Sequence, residues 1–139
     1  MEDIIEIEKL LVSAKGITFI GIEFSEKIEI EILENDIYYI IGNDYEDKIG
    51  INTKTIEVFS LSFDNMEKTF MNSSFEKLLS CIKKFNEKIN LENDNYEEIK
   101  RHKITKEIKM EIKKIDKKAL NNDNTWWDFI LEQVVDGLL

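Results

Sequence analysis

Residues 28–41 read Ile28-Glu29-Ile30-Glu31-Ile32-Leu33-Glu34-Asn35-Asp36-Ile37-Tyr38-Tyr39-Ile40-Ile41, and they decide the fold class. Ile28, Ile30 and Ile32 alternate with Glu29 and Glu31, the period-2 pattern of a strand with one buried face. Ile37 to Ile41 is an unbroken β-favouring run, which predicts a strand covered on both faces. Glu34-Asn35-Asp36 between them is short enough for a hairpin loop. Two strands joined this tightly pair antiparallel.

Reading outward toward the C-terminus, the β pattern continues. Gly42-Asn43-Asp44-Tyr45-Glu46-Asp47 predicts a turn, followed by a strand at 48–52. Thr53-Lys54-Thr55 predicts another turn, then a strand from Ile56 to Leu61 and a last short one through Met66–Met71. Toward the N-terminus the period is helical: Ile4, Ile7 and Leu11 share one face of residues 3–13, and Gly16 can end that helix.

The second half is helical throughout. Ser73-Ser74-Phe75-Glu76 has the form of a capping box, with a serine hydroxyl accepting from the N3 amide and Glu76 reaching back. Behind it Phe75, Leu78, Leu79, Ile82 and Phe85 recur at helical spacing, which predicts a helix laid on the sheet. A second helix is expected from about Asp94, with Tyr96, Ile99, Ile104, Ile108, Ile112, Ile115 and Ala119 as its apolar stripe. Asn121-Asn122-Asp123-Asn124 breaks it, and Thr125 can cap a final helix carrying Trp127, Ile130, Leu131 and Val134. Trp126 points about 100° away from Trp127 around that helix, so it serves either the core or an interface. The expected class is α+β: a mainly antiparallel central sheet flanked by helices, with a helical C-terminal half. With no proline and no internal repeat, residues 1–139 are expected to form a single domain.

Composition narrows the function. The chain carries 29 acidic and 19 basic residues, a net charge of −10. Such a body repels nucleic acid, whose affinity for proteins is dominated by phosphate attraction, and speeds encounter with basic proteins. The basic residues concentrate in one segment, where Lys100, Arg101, Lys103, Lys106, Lys109, Lys113, Lys114, Lys117 and Lys118 are opposed only by Glu107, Glu111 and Asp116. That pattern fits the solvated face of the second helix, or a surface for an acidic partner. The acidic N-terminus lacks a signal-peptide pattern and the chain lacks an apolar run of about 20 residues. Together with a single cysteine, Cys81, this predicts a cytoplasmic protein with no membrane contact.

Catalytic constellations are scarce. His102 is the sole histidine and lies among lysines, which predicts an exposed side chain. Cys81 lies between Leu78 and Phe85 on an amphipathic helix, as a structural thiol does. One His and one Cys cannot build a zinc site of the Cys/His kind. Residues 43–47 lack the alternating ligands, the glycine and the terminal Glu of a calcium loop. The scattered glycines form no phosphate cradle. The expectation is a binding protein without cofactor, metal or catalytic residues.

The order of pieces resembles a known family. A Tyr38-Tyr39-Ile40-Ile41-Gly42-Asn43-Asp44 strand and turn precedes Asp47-Lys48-Ile49-Gly50-Ile51-Asn52. Thr55-Ile56-Glu57-Val58 and Asn72-Ser73-Ser74 entering a helix follow. This succession resembles the SUKH superfamily of bacterial immunity proteins, and Trp127, Ile130, Leu131 and Gly137 resemble the closing helix of one branch. Where that family has a turn glycine this chain has Ile56, which predicts a wider or differently shaped turn. The Asn72-Ser73-Ser74 match is expected to cap the helix. The resemblance implies neutralisation of a cognate toxin, commonly nuclease-type and basic, by direct binding; relatives acting as adaptors or regulators leave a second reading open. The acidic turn residues Asp44, Glu46 and Asp47, with Asp64 and Glu67, are the expected partner-binding residues.

Overall fold

A computed structural model describes residues 2–90, 98–121 and 124–138. Helix α1 (Glu2–Ala14) precedes a meander of β1 (Ile22–Leu33), β2 (Asp36–Asp44), β3 (Asp47–Asn52), β4 (Val58–Ser62) and β5 (Glu67–Asn72). Helices α2 (Phe75–Asn90), α3 (Glu98–Ile115) and α4 (Trp126–Val135) follow, with a 3-10 turn at Lys117–Ala119 before α4. The sheet has the order β1-β2-β3-β4-β5 and every neighbouring pair is antiparallel, as short connections require. The fold is α+β.

Strand register divides the side chains between two faces. Tyr39, Ile41, Ile49, Ile51, Val58 and Met71 join residues of all four described helices in one core. Its helical share includes Ile7 and Leu11 of α1, Leu78 and Ile82 of α2, Ile108 and Ile112 of α3, and Trp127 and Leu131 of α4. Burying each such side chain stabilises by roughly 1.5–3 kcal/mol. On the opposite face Leu33, Tyr38, Ile40, Phe59 and Leu61 form a second cluster, to which no described helix contributes. Lysine stems help shelter it. Lys68 lies 5.0 Å from the Phe59 ring and Lys48 5.4 Å from that of Phe63, while Lys118 lies 5.6 Å from Phe70.

Several expectations change. Ile30 and Ile32 are 62% and 66% exposed, although their alternation predicted a buried face. They share the helix side of the sheet with Tyr39 and Ile37, their register partners, but lie at its edge. The turn after β2 is tighter than predicted: the strand runs on to Asp44 and only Tyr45 and Glu46 link it to β3. Gly42 lies within that strand, and a Cβ there would sit 2.5 Å from the carbonyl oxygen of Glu23 on β1, so the close pairing requires glycine. In the turn after β3, Ile56 takes a left-handed φ of 60°. It is held by Asn52, whose side-chain oxygen accepts from the amides of Lys54 and Thr55 at 2.8 and 3.2 Å.

The helix starts also differ. Ser74, not Ser73, caps α2, accepting from the Lys77 amide at 3.2 Å, so Glu76 is not the returning partner. Ile99 is exposed, and burial in α3 begins at Ile104. Asp94 and Tyr96, like Asn122 and Asp123, lie outside the described residues. The second helix ends at Ile115 because Asp116 is extended (φ −152°), and Ala119 is buried within the 3-10 turn instead. Thr125 caps α4 in a full capping box with Asp128.

Candidate partner-binding surface

An antiparallel meander places alternate turns at the same end of the sheet, so the β2–β3 and β4–β5 turns are neighbours. Tyr45 adopts a left-handed φ of 53° and donates its amide to the Gly21 carbonyl at 2.7 Å, fixing the first turn against the chain that enters β1. Gly21 (φ 81°) allows this approach, since a Cβ there would collide with the Tyr45 ring. In the second turn the Asn65 amide donates to the Ser62 hydroxyl at 3.3 Å.

Three of the predicted acids meet here. Asp47 is held above its ordinary value of 3.8, chiefly by partial burial and then by the negative charges of Glu46 and Asp64. Glu46 and Asp64 are exposed. Glu67 opens β5 opposite Ser62 and is also exposed.

Asp44 turns the other way. Its Oδ2 accepts from the Trp126 indole N–H at 2.8 Å and from the Ser60 hydroxyl at 3.1 Å. Burial pushes its carboxyl above 3.8, the two donors oppose that rise, and the charge of Asp47 adds to it. Trp126 is therefore a core residue with a polar tether, lying edge-on to Trp127 at 4.9 Å and against Phe19 at 5.5 Å.

The Asn72-Ser73-Ser74 segment does more than cap. Asn72 is fully buried, accepting from the Trp127 indole at 2.8 Å and donating to Asp116 at 3.0 Å. The Ser73 amide and hydroxyl donate to the same Asp116 carboxylate at 2.7 and 2.8 Å. No sequence periodicity signals this knot, because its members are 44 and 55 residues apart.

Elsewhere, His102 is exposed, 4.0 Å from Glu98 one turn away. Lys103, Lys106, Lys109, Lys113 and Lys114 are exposed along α3. Cys81 is completely buried and its thiol is pushed up to about 12, mainly by desolvation. Among the described residues no group of three His, Cys, Asp or Glu side chains is placed to hold a metal ion. Among them also, no helix is long and apolar enough to cross a membrane.

The described residues present three distinct surfaces: an acidic end, a basic helix face and an apolar strand edge. No curated protein and no solved structure matches the chain. Residues 33–133, from the end of β1 into α4, match the family described as SUKH-4 immunity protein. That match spans most of the chain, including β2 to β5 and the knot at Asn72, and the chain belongs to the SUKH-4 immunity protein family.

Proposed function

We propose that this chain, acting as one domain in the cytoplasm, neutralises a cognate toxin by direct protein–protein contact and without catalysis. The toxin is basic and of the nuclease type. The observation that carries this reading is the gathering of Glu46, Asp47 and Asp64 at one end of the sheet of an immunity-family chain with net charge −10. Such an end attracts a basic surface over roughly a Debye length, about 8 Å at physiological salt, and competes with the phosphates that surface would hold. Asp44 supports the site from behind, tying the strand to α4 through Trp126.

The test is co-expression with the toxin domain encoded beside this chain's gene. Restored growth, a stable complex and association that slows with added salt support the proposal. Growth arrest despite full expression of this chain, with no complex formed, overturns it. A complex whose association ignores salt overturns the electrostatic part alone.

A further inference from the structure

β1 lies at one edge of the sheet, and its outer side has no strand partner among the described residues. The direction of its backbone groups follows from the ladder. The Ile37 carbonyl accepts from the Thr53 amide across β2–β3, so Ile37 turns its backbone toward β3. Backbone direction alternates along a strand, so Tyr38 turns toward β1 and meets Glu31. Ile30 and Ile32 therefore present their N–H and C=O groups outward, where an added strand would pair with them.

The side chains at this edge are apolar on one face and acidic on the other. Ile30, Ile32 and Ile37 are all exposed on the helix side. Beside them a groove of about 280 Å³ is lined by Ile4, Ile28, Ile30 and Tyr39, with Glu8 and Glu26 among its polar walls. Ile4 and Glu8 form the flank of α1 nearest β1; Ile5 and Val12, the next positions around the helix on that side, are exposed too. On the opposite face stand Glu29 and Glu31, of which Glu31 is paired with Lys48. β1 holds Glu23, Glu26, Glu29 and Glu31 against Lys27 alone, a net charge of −3.

Natural edge strands are guarded by lysine, proline or bulges that block pairing. β1 is irregular between Phe24 and Glu29, but from Glu29 to Leu33 it pairs regularly with β2 and its outer edge there is guarded by glutamate, which repels acidic strands but not basic ones. A second copy is a poor occupant. Pairing two β1 strands about Ile30 would set Glu29 against Glu31, like charges directly opposite, on two bodies each of net charge −10.

Building on the immunity reading above, we propose that the outer edge of β1 receives an extended segment of the toxin as an added strand. Its apolar side chains lie on Ile30 and Ile32 and in the adjoining groove, and its Lys or Arg side chains face Glu29 and Glu31. Main-chain pairing supplies affinity, and the alternation of basic and apolar residues supplies specificity. The acidic turns at the other end of β2 steer the encounter, while this edge holds the complex.

Two probes test it on the full chain: a short labelled peptide alternating Lys and Val, and the toxin domain encoded beside the gene. The peptide is expected to bind and to slow amide exchange at Ile30 and Ile32, whereas a Glu–Val peptide is without effect. The double substitution Ile30→Lys with Ile32→Lys should leave Tm unchanged, both residues being exposed. It should abolish peptide binding and weaken toxin binding roughly tenfold or more, chiefly through faster dissociation. If the Lys–Val peptide leaves both amides exchanging freely, the edge does not accept a basic strand and the proposal falls. A toxin that binds and is neutralised while both amides still exchange overturns the proposal and leaves the immunity reading standing. A toxin that does not bind the wild-type chain overturns that reading and the occupant named here, and the peptide still decides whether the edge accepts a basic strand. A concentration-dependent dimer that protects Ile30 and Ile32 makes a second copy the occupant and also overturns it.

Discussion

The indole N–H of Trp127 donates to the side-chain oxygen of Asn72 at 2.8 Å, joining α4 to the end of β5. The Asn72 amide nitrogen faces Asp116 at 3.0 Å and the Cys81 sulfur at 3.5 Å, so one buried side chain bridges the sheet and the C-terminal half. Asn72→Ala leaves a buried indole donor unpaired and strips one donor from a buried carboxylate. It should cost roughly 2–4 kcal/mol, measured by urea unfolding. A loss within experimental error would mean that the knot relaxes onto water.

Asp44 gives stability a pH dependence on the acid side. Its folded pKa lies above its ordinary 3.8 because of burial. Over that interval the folded state binds more protons than the unfolded one, so this group's contribution to stability falls as pH rises from 3.8 through the raised value. Asp47 acts in the same sense. Asp44→Asn keeps an oxygen for Trp126 and removes the titration, so its thermal midpoint should decline less across this range than that of the wild type. Parallel pH profiles for the two proteins would contradict this assignment.

Ile56 occupies a left-handed conformation that a β-branched residue resists. Comparing two truncations isolates the backbone from the side chain. Ile56→Gly should be more stable than Ile56→Ala by about 1 kcal/mol, the reverse of the usual order in regular structure. Chemical denaturation of both variants checks it, and an Ala variant at least as stable as the Gly one would show that the turn has rearranged.

Cys81 is buried with its thiol pushed up to about 12. In the folded protein it should resist a thiol-specific chromogenic reagent, reacting only at the rate of global opening and promptly in denaturant. Fast labelling under native conditions would require α2 to open locally.

Charge reversal at Glu46, Asp47 and Asp64 together should lower the association rate with the toxin by about tenfold at low salt and flatten its salt dependence. Stopped-flow kinetics at two ionic strengths measure both effects. Unchanged association with changed dissociation would place these acids inside the contact instead of along its approach.

Much of the candidate surface was legible in the sequence, though not its orientation. The acids of the two turns are recognisable as turn residues, and a meander with short links puts those turns side by side. Asp44 is the exception, and a bulge explains it. The register shifts between Ile40 and Gly42, so the extra residue reverses the alternation and carries Asp44 to the helix face, beneath Trp126.

Residue order settled the elements: period-2 runs made strands, 3.6-period stripes made helices, and Thr125 with Asp128 began α4. These are properties of contiguous segments, set by backbone geometry and local hydrogen bonding. What covers each apolar face was settled by packing between distant segments. Ile30 and Ile32 alternate as buried residues do, yet stay exposed because they stand at the sheet's edge, beyond the cover that the helices give Tyr39 and Ile41. Tertiary structure likewise drew Asn72, Asp116 and Trp127 into one buried knot. Cover and knot depend on where distant segments pack, and local periodicity carries no term for that.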